Sequence, residues 1–158
     1  MSRVPLSEMS LKELLVLRRA IDAEIKGRGH SRTASSLEGE LVERTVAVAY
    51  RGHLVEVGAK SVDVVAADGR NLQVKVRSLE KGVLRHWAFP DFDFDAAVVV
   101  AMDRETSAIN WARELSSDEV RALAVPHDED VWRLRMSPTR NAGIDVTDHL
   151  LRAFRELR

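Results

Sequence analysis

The chain has no cysteine in 158 residues. Disulfides and thiolate metal sites are therefore excluded, and the composition fits a reducing, cytoplasmic setting. It also lacks an excess of charge of either sign. Twenty-four Lys and Arg stand against 25 Asp and Glu, a formal net charge of −1, so no global basic field draws it to nucleic acid and any such binding must rest on a local patch. Long hydrophobic runs are missing too. The longest, Ala96 to Met102, is far too short to span a bilayer, and the N-terminus has no apolar core of a signal peptide. The five histidines, at 30, 53, 86, 127 and 149, include no i,i+4 pair of the kind that holds zinc. There is no glycine-rich phosphate loop, no G-x-S-x-G and no helix-turn-helix signature.

What remains is 45% hydrophobic and 31% charged, the balance of a soluble globular protein with one real core. The stretch that organises the rest is Lys60 to Arg77, K-S-V-D-V-V-A-A-D-G-R-N-L-Q-V-K-V-R. It reads as a β-hairpin. On the return strand Leu72, Val74 and Val76 point one way, and Gln73, Lys75 and Arg77 the other, because strand side chains alternate. If the loop is Ala67-Asp68-Gly69, with glycine in the left-handed position of a three-residue turn, Ala66 pairs with Arg70 and Asp63 comes opposite Gln73. A two-residue loop would turn Asp63 to the opposite face.

An Asp on one strand and Gln-x-Lys on its partner resemble the PD-(D/E)XK nuclease superfamily, in the branch that writes its second motif Q-V-K. The resemblance covers roughly residues 37–102. It implies a restriction-endonuclease-like core and a Mg²⁺ or Mn²⁺ ion held by Asp63, the Gln73 amide oxygen and the Val74 backbone carbonyl. Mg²⁺ prefers oxygen ligands at about 2.0–2.1 Å and keeps several waters. Lys75 would hold the attacking water and offset charge on the phosphorus. The departure is Gln73, since a neutral amide is a weaker ligand than the commoner carboxylate. In the superfamily a helix ahead of the hairpin carries a supporting glutamate, in a G-x-x-x-E spacing that Gly39 and Glu43 match. Glu40 is the fallback.

Around this hairpin the expected architecture is α/β, a mixed central sheet flanked by helices in the order α-α-β-β-β-β-β-α-β-α. Ser10 and Glu13 form a capping box for a first helix ending at Gly27. Its stripe is Leu11, Leu14, Leu15, Ile21 and Ile25. Residues 27–36 are small, polar and basic, a linker that separates an N-terminal segment (1–34) from the nuclease-like domain (35–158). The second helix runs to about Tyr50 and buries Leu37, Leu41, Val42, Thr45, Val46, Val48 and Ala49. His53 to Val57 starts the sheet, and 79–90 reads as irregular. Asp91 to Asp95 leads into a buried strand at Ala96 to Ala101, which pairs with Ser107 to Trp111. Ser116 to Glu119 opens a short helix, Val131 to Met136 alternates with its arginines outward, and Thr147 caps a last helix.

The expected activity is metal-dependent hydrolysis of a DNA phosphodiester, of restriction or repair type, by a cytoplasmic protein. Arg77, Arg44, Lys81, Arg85, Trp87, Arg28 and Arg32 are the candidate nucleic-acid contacts, and cutting two strands with one site per chain would favour a homodimer. One alternative is an inactive nuclease-like domain that acts as a nucleic-acid-binding module, and another is an inactive structural or dimerising protein in which Asp63 merely caps a turn.

Overall fold

The chain begins its regular structure with a short 3-10 turn at Leu6–Glu8 and then α1 (Leu11–Gly27). The computed structural model describes residues 4–27, 37–56 and 59–157. The capping box forms as written: the Ser10 N–H donates to Glu13 Oε2 at 2.7 Å and the Glu13 N–H to Ser10 Oγ at 3.3 Å. The apolar stripe of α1 does not form a packed seam. Of its described side chains only Leu15 is buried, and Ile21 is 49% exposed. A polar anchor holds the helix instead. Arg19 donates to Glu38 Oε1 at 2.7 Å and to Ser78 Oγ at 2.9 Å, and it also reaches the Arg104 carbonyl.

In α2 (Leu37–Ala49), Val42, Thr45, Val46 and Ala49 are buried, as their spacing requires. Val48 is exposed and Ala47 is buried, so the packed arc is rotated toward Ala47. The buried Thr45 hydroxyl is satisfied by the Leu41 carbonyl at 2.7 Å.

Among the described residues nine strands follow: β1 (His53–Leu54), β2 (Val64–Val65), β3 (Asn71–Leu79), β4 (His86–Phe89), β5 (Ala96–Asp103), β6 (Ile109–Ser116), β7 (Val125–Asp128), β8 (Val131–Arg135) and β9 (Ile144–Asp145). Three helices are set among them, α3 (Ser117–Leu123), the single turn α4 (Met136–Thr139) and α5 (Thr147–Glu156). The fold is α/β. A six-stranded mixed sheet has the order β1-β2-β3-β5-β6-β9, and a three-stranded sheet has the order β4-β8-β7. β1, β2 and β3 form an antiparallel meander, β5 joins β3 in parallel, and β6 and β9 return antiparallel. The parallel step demands a crossover between β3 and β5. That crossover carries β4, in the stretch that reads as irregular from sequence.

The large sheet is packed on both faces. Leu72, Val74, Val98, Val100 and Ala112 pack against Val42 and Val46 of α2 and Leu150 and Ala153 of α5. On the other side Ala97, Val99, Ala101 and Leu115 meet Trp87 and Phe89 of β4, Leu134 of β8 and Val120 of α3. β5 lies between the two cores, so every residue from Ala96 to Met102 is buried. An unbroken apolar run is the sequence of a strand with no solvent face.

One of two expected helix starts holds and the other shifts by a residue. Ser116 caps α3 through a full capping box with Glu119. Thr147, by contrast, is the first residue of α5. Its hydroxyl accepts from the Ala112 N–H at 2.9 Å, while Asp145 Oδ1 takes the Thr147 N–H at 3.0 Å.

Candidate functional site

The hairpin register decides where Asp63 lies. Val64 pairs with Leu72 and Val65 with Asn71, the Ala66 N–H donates to the Arg70 carbonyl at 2.9 Å, and Gly69 takes φ +87°. The loop is therefore the three-residue Ala67-Asp68-Gly69, with glycine where a positive φ is required. Past Val64 the regular ladder stops. The Asp63 N–H also bonds to the Leu72 carbonyl, at 2.9 Å, so two successive residues address Leu72, as at a β-bulge.

There β2 parts from β3, and the Asp63 side chain closes the gap. Its Oδ2 accepts from Gln73 Nε2 at 2.7 Å and from the Val74 N–H at 2.8 Å. Gln73 and Val74 are 9% and 7% exposed, so Asp63 satisfies two donors that water does not reach freely. A strand residue's N–H and C=O point the same way. The Val74 carbonyl thus lies on the Asp63 side as well.

Two charged groups are displaced from their ordinary behaviour around this carboxylate. Glu43, half-buried on α2, has its pKa raised, first by desolvation and then by the negative charges of Asp63 and Glu40. The Lys75 pKa is lowered by burial, against the opposing pull of Asp63 and then Asp91. Its ammonium lies 5.4 Å from the centre of the Phe89 ring, a cation–π placement. The fold thus brings Asp63, Gln73, Lys75 and Glu43 to one edge of the sheet, with Glu40 exposed beside them.

Asp91 belongs to the same neighbourhood, although nothing in its sequence position marks it as a site residue. Its Oδ2 accepts from Ser61 Oγ at 2.6 Å, and its Oδ1 takes the Asp93 N–H at 3.0 Å. Ser61 is held at φ +64°, a conformation that a non-glycine residue adopts only when its surroundings hold it. The Asp91-Phe92-Asp93-Phe94-Asp95 alternation turns Phe94 into the core and leaves three carboxylates at the mouth of the crossover.

A second polar cluster was also hidden. Glu114, 9% exposed, accepts from the Tyr50 hydroxyl at 2.5 Å and from Arg70, which also pairs with Asp68 at 2.8 Å. Burial, then the Glu114 hydrogen bond, push the Tyr50 phenol up. This network ties the residue that follows α2, the hairpin tip and β6 together.

The remaining candidates divide. Trp87 is 1% exposed, edge-on to Trp111 with ring centroids 5.6 Å apart. It is a core residue of β4, and its ring face is not offered to a base. Arg44, Lys81, Arg77 and Arg85 are exposed, and Arg77 Nε donates to the His86 carbonyl at 3.0 Å. Arg28 and Arg32 lie outside the described residues.

Among the described residues no group of three or more His, Asp or Glu side chains is arranged to hold a metal ion. Any cation at the hairpin edge would draw on two carboxylates at most, together with amide and carbonyl oxygens and water. Mg²⁺ accepts such a set. Burial first, and then repulsion from Asp63 and Glu40, raise the Glu43 pKa, and a divalent cation relieves the repulsion. In donor chemistry, Asp63, Glu43, Gln73 and the Val74 carbonyl therefore fit. The Gln73 NH₂ is given to Asp63, so ligation through Oε1 requires the amide to turn over and surrender that hydrogen bond. No family model and no curated protein matches this chain.

Proposed function

We propose that the protein is a metal-dependent nuclease that hydrolyses DNA phosphodiester bonds at the edge where β2 and β3 part. One observation carries this reading. A carboxylate, an amide, an ammonium destabilised by burial and a second carboxylate with a raised pKa come from three separate chain segments to one place. Perturbed titratable groups gathered this way are more typical of functional sites than of plain surface.

Asp63, Glu43, Gln73 and the Val74 carbonyl would hold Mg²⁺ or Mn²⁺, which when bound makes a coordinated water more acidic and neutralises phosphate charge. Lys75 holds and orients the attacking water through its ammonium. Its lowered pKa, reflecting burial beside Phe89, eases the loss of a proton. Asp63 keeps Lys75 charged enough to stabilise the negative charge that builds on the phosphoryl oxygens. Glu43, with its proton held more tightly than an ordinary glutamate, supports the same edge from α2. The superfamily resemblance of Asp63, Gln73 and Lys75 points to the same chemistry.

A second reading has its own observation. Asp63 already serves as a strand cap for Gln73 and Val74, which an inactive nuclease-like binding or dimerising module would equally need. Calorimetric titration with Mg²⁺ and Mn²⁺ separates the two. For the enzyme, binding is lost in Asp63→Asn and strengthened in Gln73→Glu, because a carboxylate replaces the neutral amide. Identical heats for wild type and Asp63→Asn would overturn the metal site.

A further inference from the structure

The three-stranded sheet has one face in the core and one in water. Trp87, Phe89 and Leu134 point inward. By the two-residue alternation, His86, Ala88, Arg133 and Arg135 point outward. His86 lies across from Arg135 and Ala88 from Arg133. Arg85 precedes His86, and Arg77 of β3 is bonded to the His86 carbonyl. Arg133 hydrogen-bonds to His127 on β7.

This face concentrates positive charge in a chain that is nearly neutral. The ion pairs of the described residues leave Arg77, Arg85, Arg133 and Arg135 without a carboxylate partner. The His86 pKa is lowered, by desolvation first and then by Arg133, Arg77, His127 and Arg85, all of them basic groups. His127 has Asp128 at 3.4 Å, the one acidic group among the described residues in ion-pair contact with the cluster. Packing like charges together in this way costs stability unless an anion answers it.

We infer that the outer face of the β4-β8-β7 sheet is the track on which the phosphate backbone of DNA lies, leading from Arg77 beside the candidate site across His86 and Arg135 to Arg133. The inference rests on the nuclease reading and gives that site its substrate surface. Neighbouring strands lie about 4.8 Å apart, and same-face residues along a strand about 6.6 Å. The cations therefore recur at intervals that successive phosphates of one strand can meet. Contacts of this kind carry affinity without sequence preference.

The test uses the full chain, a short fluorescent single-stranded DNA and its duplex, and the double variant Arg133→Ser/Arg135→Ser. Both arginines point away from the core, so the fold tolerates their loss. Wild type should bind with an affinity that falls as salt rises. The double variant should lose about 1.5–2 from the slope of log K against log salt, irrespective of sequence. A second readout follows His86 by NMR, where added DNA should raise its pKa because phosphate charge replaces arginine repulsion. An unchanged slope together with an unmoved His86 overturns the track, even if the protein cuts DNA. Wild-type binding to anionic phospholipid vesicles without binding to DNA overturns it as well. A shallower slope in a protein that never cuts DNA upholds the track and removes the nuclease reading.

Discussion

Replacing Asp63 tests the local architecture and separates structure from chemistry. Asp63→Ala removes the one acceptor shared by Gln73 Nε2 at 2.7 Å and the Val74 N–H at 2.8 Å. Both donors belong to buried residues. Leaving a buried donor unpaired costs about 1–3 kcal/mol. Gln73 has a side chain that can rotate toward water and Val74 has only its backbone, so the sum falls nearer about 3 kcal/mol than the upper limit. Removing the charge also relieves Glu43 and withdraws support from Lys75, two effects of opposite sign. For a domain of this size, about 3 kcal/mol lowers the melting temperature by roughly 6–12 °C. Asp63→Asn keeps an acceptor oxygen in place and should cost only about 1 kcal/mol. Urea denaturation of the three proteins measures both differences. Asp63→Ala within about 0.5 kcal/mol of wild type, the ordinary scatter of surface changes, would show that the two bonds contribute nothing and that the hairpin edge is organised differently.

Other expectations follow from the same structure. Glu43 has a raised folded pKa, so its contribution to stability is present below pH 4.5, its unfolded value, and is lost as pH rises through the folded value. Glu43→Gln should therefore stabilise the metal-free protein at pH 7 and make no difference in acid, and melting curves across that range would expose the opposite trend. Lys75 has a lowered pKa, so its penalty grows as pH falls through the folded value. Lys75→Met should raise the melting temperature at neutral pH while abolishing cleavage, and a less stable variant would contradict the burial argument. At Gly52 a Cβ would lie 2.0 Å from the Val65 carbonyl oxygen, so Gly52→Ala must push β2 aside. Reduced amide protection in 62–66 by hydrogen exchange would register that shift. Glu114→Ala leaves the Tyr50 hydroxyl unpaired while Arg70 keeps Asp68, and should cost about 1–3 kcal/mol, whereas unfolding energies equal to wild type would mean that this network is replaceable.

The hairpin was legible because its information is local. Asp68-Gly69 sets the loop, the loop sets the register, and alternation does the rest. The Ser10–Glu13 capping box and the helix start at Ser116 were equally readable, and so was β5, whose seven buried apolar residues admit no solvent face. What escaped depends on partners distant in sequence. β4 carries only His86-Trp87-Ala88-Phe89 and exists as a strand because β8 pairs with it. Its tryptophan, flanked by basic residues, reads as a binding surface until the strand is folded inward. The exposed Ile21 marks the converse limit, since helical spacing sets which residues share a face and not whether anything covers it. Asp91 was missed because its role comes from Ser61 and Lys75, separated from it by the whole hairpin and crossover. The bend at Asp63 was not written in the alternation either. It arises where the ladder ends and a side chain replaces a backbone partner.

The decisive measurement of metal-dependent nuclease activity is cleavage of supercoiled plasmid and single-stranded DNA in Mg²⁺ or Mn²⁺, by wild type beside Lys75→Ala and Asp63→Asn. Wild type should cut at least one of these substrates, cutting should stop when the cation is chelated, and it should disappear in both variants while their folds remain intact. A wild-type protein that leaves every substrate whole, or one whose cutting survives in Lys75→Ala and Asp63→Asn, would contradict the nuclease reading.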